Sequence, residues 1–306
     1  MKESYKAALL LSFLSPFFAE VLSGSTPPLE ALTNPLSFPL IWAFYGVGVL
    51  LVREAWVRWG RNYMGLMLLG FAYGVFEEGI IIKSWYNPNW PDLGVFATYG
   101  RIWGINVTWA VWLTIFHSLL SIAAPIIVAD SLYPHLRNEH FIGKRNIIPL
   151  LFIMAIPSIL LYFVLGAYQA PLPQYLISIV LFLLFIFLAR RVRKKGIIAF
   201  KFALKHPLIY GFIMAILLFL NFSAFPHSSI SPLLPMLLGV FLALHIYSQM
   251  HALGDSRVYS LIFGFLTFWL LPYDIILEIN GVMGESILGS LTFIILLIHW
   301  RHLKIK

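Results

Sequence analysis

Apolar runs long enough to cross a lipid bilayer recur about ten times in this chain, and no other feature limits its fold so severely. A spanning helix needs roughly 20 mostly apolar residues. Such runs lie at about 5–22, 36–52, 62–82, 104–128, 147–167, 172–189, 207–222, 232–247, 258–277 and 286–300. Only 11% of the residues are charged, 60% are hydrophobic and the mean hydropathy is +0.86. A soluble domain carries about 25% charged residues. A chain this apolar cannot cover a water-facing surface, so the expected class is an all-α, polytopic transmembrane bundle. No linker or extramembrane domain interrupts it, and residues 1–306 read as one transmembrane domain.

Positive charge sets the orientation. With both termini cytoplasmic, all of the 21 lysines and arginines except Lys83 and Arg101 fall on the inner side. The acids run the other way: Glu20, Glu30, Glu77, Glu78, Asp92, Asp274, Glu278 and Glu285 lie at or beyond the outer ends. The net charge of +8 is therefore a cytoplasmic-leaflet signal and not a nucleic-acid one. The same holds for the basic loop "RRVRKKG" at 190–196. The expected location is the plasma membrane, with membrane lipid as the partner. The first run, preceded by Lys2 and Lys6, lacks a small-x-small cleavage site and reads as a retained helix. Cysteine is absent, which removes disulfides, thiolate metal sites and thiol nucleophiles.

Against this apolar background the segment "GVFEEGIIIK" (74–83) sets two glutamates side by side. Gly70, Gly74 and Glu78 are spaced by four, so they share a helix face on which another helix can approach closely. Glu77 and Glu78 sit roughly 6–8 Å below the outer boundary at about 1.5 Å per residue. An acid at that depth marks a functional site by default. Adjacent carboxyls suppress each other's ionisation, as suits a general base, a proton carrier or a cation ligand. The competing reading is structural, with Glu78 satisfied by Lys83 or Arg101.

On the next helix Asn106, Ala110, Thr114, His117 and Ser121 form a polar, small-residue stripe, with Trp103, Val107, Val111, Trp112 and Ile115 on the other faces. His117 lies about 13 residues into that helix, deeper than the glutamates by the same rise. That depth argues against direct Glu–His contact. Glu20 closes the first helix at the level of the glutamates, and Ser23 and Ser25 follow in a turn stiffened by Pro27 and Pro28. The long outer loop 83–103 carries Lys83, Arg101 and several aromatics, and reads as an interfacial loop or a lid. Asp274 and Glu278 are candidates for the same mouth.

The order of a glutamate pair and then a histidine about forty residues on resembles the CPBP (CAAX protease and bacteriocin-processing) intramembrane proteases. Their pattern is Glu-Glu-x-x-x-Arg, Phe-x-x-x-His and His-x-x-x-Asn/Asp. The resemblance implies Glu78 as the base that activates water and His117 as its partner. Here Lys83 replaces the arginine one position late, Phe116 directly precedes His117, and His251 and Asp255 fall on the cytoplasmic side. The stretches "SGSTPPLE", "EEG" and "FATYGRIWGINVTW" also resemble an uncharacterised family of prokaryotic membrane proteins.

The leading expectation is a membrane-embedded hydrolase or transferase with an outward-facing pocket between helices 1, 3 and 4. Its substrate would be lipid-borne or membrane-delivered. Glu77, Glu78 and His117 would be catalytic, Glu20, Ser23, Ser25 and Asn106 would line the entrance, and Lys83 or Arg101 would hold an anionic group. A metal held by Glu77, Glu78 and His117 would be zinc or another divalent ion. The alternatives are a transporter coupled to protons or cations, carrying a small solute, and a non-catalytic scaffold.

Overall fold

The structure is a computed structural model that describes residues 2–164, 166–192 and 204–305. The basic residues Arg193, Lys194, Lys195 and Lys201 counted above lie outside them, as does Lys306. Helix α1 runs Glu3–Pro16 and continues as a π-turn over Phe17–Val21, followed by the short α2, Pro28–Thr33. The remaining long helices are α3 Ser37–Arg58, α4 Tyr63–Ile81, α5 Val107–Leu132, α6 Lys144–Val164, α7 Leu172–Arg191, α8 Pro207–His227, α9 Leu233–Ala252, α10 Asp255–Ile279 and α11 Glu285–Lys304. The only strands among the described residues, β1 (Arg101–Ile102) and β2 (Ile105–Asn106), make a small hairpin.

Nine helices among the described residues, α3 to α11, are long and apolar enough to cross a bilayer, against ten expected. The missing one is α1, whose Glu3, Lys6, Ser12, Ser15 and Glu20 dilute its apolar content. Ser12 and Ser15 of α1 are buried, and Ser15 donates to the Ser121 carbonyl at 2.6 Å. That carbonyl is open because Pro125, four residues on, has no N–H to give it.

Glycines let the helices touch. A Cβ on Gly74 would lie 3.0 Å from Thr114 Cα and 3.3 Å from His117 Cβ, and one on Gly70 would strike Ser118. The expected small-residue face of α4 therefore packs on α5. Gly211 of α8 and Gly264 of α10 meet the backbone of Leu261 and Leu208 in the same way. Gly264→Val should cost about 1–3 kcal/mol, because the obstacle is main chain and cannot rotate aside. A lower thermal unfolding midpoint in detergent, with no loss at an exposed glycine such as Gly254, would show it.

One end of the bundle is tied by charge. Arg53, fully buried on α3, donates to Asp130 Oδ1 from Nε (3.1 Å) and Nη2 (2.9 Å). It also donates to the carbonyls of Leu136, Arg137 and Glu139. Arg61 bridges Asp130 and Asp255, and Asp255 pairs with Arg137. The opposite end is open.

Candidate functional site

Five helices change pitch at the open end. Phe17–Val21, Trp42–Gly46, Val75–Ile81, His117–Ala123 and Trp269–Tyr273 are π-turns. Two of their closing bonds run over five residues, Leu22 N–H to Phe17 O (2.9 Å) and Ile82 N–H to Glu77 O (2.8 Å). A π-turn sets one more residue into the turn, and such turns occur often at functional sites. Here they carry Glu20, Tyr45, Glu77 with Glu78, and His117.

These side chains form one chain of hydrogen bonds and ion-pair contacts. Thr26 Oγ1 donates to Glu20 Oε2 at 2.8 Å, and the Tyr45 hydroxyl lies 2.5 Å from Glu20 Oε1. The same hydroxyl contacts Glu77 Oε1. His117 lies between the two glutamates, with Nδ1 3.3 Å from Glu77 Oε2 and Nε2 3.2 Å from Glu78 Oε1. Nδ1 also lies 2.9 Å from Ser121 Oγ. Ser84 donates to Glu78 Oε2, and Trp109 Nε1 donates to Ser84 at 3.2 Å. Glu77, Glu78, His117 and Ser84 are all buried. Glu77 Oε2 makes no hydrogen bond of ordinary geometry, and its partner is the His117 ring at ion-pair distance. Tyr45 has one hydroxyl proton and two carboxyl neighbours, so its second contact needs a proton from the carboxyl side.

The expected depth gap between His117 and the glutamates is absent, for two reasons. First, α5 begins at Val107, not near 104, because residues 101–106 form the hairpin and Asn106 caps the helix by accepting from Trp109 N–H at 2.9 Å. Second, side chains lean toward the N-terminus of their helix. The helices α4 and α5 are antiparallel, so Glu78 leans down and His117 leans up, and they meet.

A cavity of about 720 Å³ rises from this floor. Phe116, Trp109 and Trp112 of α5, Phe219 and Phe222 of α8, and Trp269 and Tyr273 of α10 line one side. Trp112 stacks near Phe222 and Trp269, with centroids 4.9 and 6.3 Å away. Ser23, Ser25, Glu30 and Asn34 line the mouth on one flank, Trp90 and Asp92 on another. Leu36 also lines it and is exposed, next to the exposed Leu29 and Leu32 of α2.

Of the residues singled out from sequence, Glu20, Ser23, Ser25, Glu77, Glu78 and His117 line the cavity. Lys83, Arg101 and Asn106 do not. Lys83 is 4% exposed and turns away, with Nζ 3.5 Å from the Tyr162 ring centre and 3.4 Å from the Tyr162 carbonyl. Burial pushes its pKa down. Arg101 pins the loop through the carbonyls of Ala97, Tyr86 and Gly104. Neither cation pairs with Glu78, and neither can hold a ligand in the cavity. Asp274 also points elsewhere, against Gly289 of α11, while Glu278 accepts from the N–H groups of Gly284 and Ser286 at the start of that helix. The loop 83–103 is a packed cap, with Ser84, Trp85 and Tyr86 buried.

The sequence reading missed Tyr45, Ser84 and the aromatic wall. Tyr45 sits in "WAFYG", where an interfacial tyrosine looks the same. Trp112 seemed a packing or lipid-facing residue on regular α periodicity, and only the bundle shows its role. Tyr45→Phe should cost about 1–3 kcal/mol, since it leaves buried carboxyl oxygens unbridged. A thermal midpoint equal to that of the unaltered protein would contradict the bridge.

One oxygen from each of Glu77 and Glu78 and one His117 nitrogen lie within 4.8 Å of one another. Two carboxylates and an imidazole suit zinc or another divalent ion with room for a further ligand.

A model of an uncharacterized membrane protein family matches residues 9–258, most of the chain. The chain belongs to this family. It is therefore a membrane protein, and the family match encloses Glu20, Tyr45, Glu77, Glu78 and His117. Trp269 and Tyr273 of the cavity wall lie beyond the matched family segment. No curated protein and no solved structure matches the chain. Nothing in these comparisons supports the CPBP proteases, and Asp255, which the third motif of that pattern would need at the glutamates, pairs with Arg61 and Arg137 at the other end.

Proposed function

We propose that this family member is a membrane-embedded hydrolase or group transferase whose active site is the cavity over Glu77, Glu78 and His117. The observation that carries this reading is the continuous chain Glu20–Tyr45–Glu77–His117–Glu78–Ser84 at the cavity floor. General acid–base chemistry needs a proton donor and acceptor within hydrogen-bond reach of the reacting atoms, and this chain supplies both.

Glu78 is the acid–base group, because Ser84 and His117 fix its two oxygens. Glu77 and Glu20 hold the shared proton through Tyr45. His117 relays between the glutamates, and Ser121 orients its ring. A divalent ion on Glu77, Glu78 and His117, if bound, would supply Lewis acidity there. By the basic excess at the tied end, the cavity faces outward across the plasma membrane with both termini inside. The exposed Leu29, Leu32 and Leu36 beside the mouth favour a substrate delivered from the lipid phase.

A transporter is the alternative. It would use the same carboxyls as proton or cation sites, and would have to open the end that Arg53, Arg61 and Asp130 tie by ion pairs. A scaffold would need no cavity at all. One experiment separates the three. Purified protein in liposomes of native lipid extract is incubated in heavy-oxygen water, and lipids and trapped solutes are analysed by mass spectrometry. The expected result is new product, with heavy oxygen incorporated if the reaction is hydrolysis. Solute flux without any chemical change would overturn the enzyme in favour of transport, and no change of either kind would leave the scaffold.

A further inference from the structure

The cavity lining carries a charge bias that selects the substrate. Glu20, Glu30, Glu77, Glu78 and Asp92 line it, and no lysine or arginine does among the described residues. His117 is the single lining group that can carry positive charge, and it is hemmed between two carboxyls. Lys83 and Arg101, the two cations nearest in sequence, point elsewhere. Each carboxyl that ionises makes the interior more negative, and low-dielectric walls focus that field. A ligand of net negative charge would enter against it.

The opposite wall is aromatic, with Trp112, Phe116, Phe222, Trp269 and Tyr273 around one space. Ring faces attract cations, and tryptophan does so best. Glu20 and Glu77 line the same cavity as these rings, so a cation resting on the wall has carboxyls within the same space.

We infer that the cavity binds an organic ammonium with an apolar body, its charge toward Glu20 and Glu77 and its body on the Trp112–Trp269 wall. The inference rests on reading the cavity as a substrate site. It replaces the anionic group that Lys83 or Arg101 was expected to hold. The ammonium can come from an amine-bearing lipid headgroup or from a free amine, and the mouth beside Leu36 is open to both.

The test is calorimetric titration of the full chain in nanodiscs of phosphatidylglycerol, which lacks an ammonium. Choline should bind about tenfold or more tightly than its uncharged isostere 3,3-dimethylbutan-1-ol, as a well-placed cation–π and ion pair predicts. Short-chain phosphatidylcholine binding more tightly than choline assigns the lipid source, and weaker binding assigns the free amine. Trp112→Leu and Glu30→Gln should each weaken choline several-fold with the unfolding midpoint held. Glu30 lies at the mouth outside the hydrogen-bonded chain, so its variant keeps the fold. Equal binding of choline and the alcohol, or no effect of either variant, overturns the proposal. Turnover of a neutral or anionic substrate in the heavy-oxygen experiment sinks the charge preference and spares the enzyme. Choline binding without turnover does the reverse.

Discussion

Glu78→Gln is expected to lower turnover at the cavity by about 10²–10⁴-fold, the usual contribution of a positioned acid–base group. The amide keeps the shape of the side chain and can still meet Ser84 and His117, which hold the carboxylate now. What it loses is the capacity to take a proton. The variant should therefore unfold at the same temperature as the unaltered protein while product formation in heavy-oxygen water collapses. Glu77→Gln should fall less, because Tyr45 and His117 still link its position to Glu20 and Glu78. A Glu78→Gln protein that folds and turns over at full rate removes Glu78 from the chemistry, whatever the cavity binds.

Arg53→Met should destabilise the protein by about 3–5 kcal/mol, the range for removing one partner of a buried ion pair. Arg53 is wholly buried, and its guanidinium lies over Phe141 with 3.2 Å to the ring centre. Deleting it takes a donor from the carbonyls of Leu136, Arg137 and Glu139, of which Leu136 keeps the Glu139 N–H. Asp130 keeps only Arg61. Methionine fills most of the volume, so the loss is electrostatic and not a cavity effect. The double variant Arg53→Met, Asp130→Leu should recover part of it, since removing both members of a buried pair is far less costly than removing one. Denaturant titration in detergent, read by circular dichroism, measures both. A change under 1 kcal/mol in the single variant would mean that water reaches this end and screens the pair.

The helices themselves were legible because length and apolarity decide them. Nine runs expected from hydropathy are helices of spanning length, and α1 differs because its serines and Glu20 are turned inward where hydropathy counts them as polar. Gly70 and Gly74 were legible as a contact face because α periodicity holds up to Gly74. It fails one residue later. From Val75 the π-turn shifts the register, so the period-of-four rule no longer says where Glu77 and Glu78 point. Both reach His117, which two neighbours on a regular helix face would not be expected to do. Lys83 and Arg101 misled for a related reason. They are the two cations of the acidic end, but backbone carbonyls of a tightly folded cap and the Tyr162 ring claim them first.

The amino-acid order alone determined that this is a bundle of membrane helices with acids gathered at one end, since spanning length and charge position are additive properties of short segments. Only the tertiary structure decided that Glu20, Tyr45, Glu77, Glu78 and His117 converge beneath an aromatic wall. That convergence depends on π-turns, antiparallel side-chain lean and a buried loop. Each is set by contacts between segments far apart in the chain, and local composition carries no record of them.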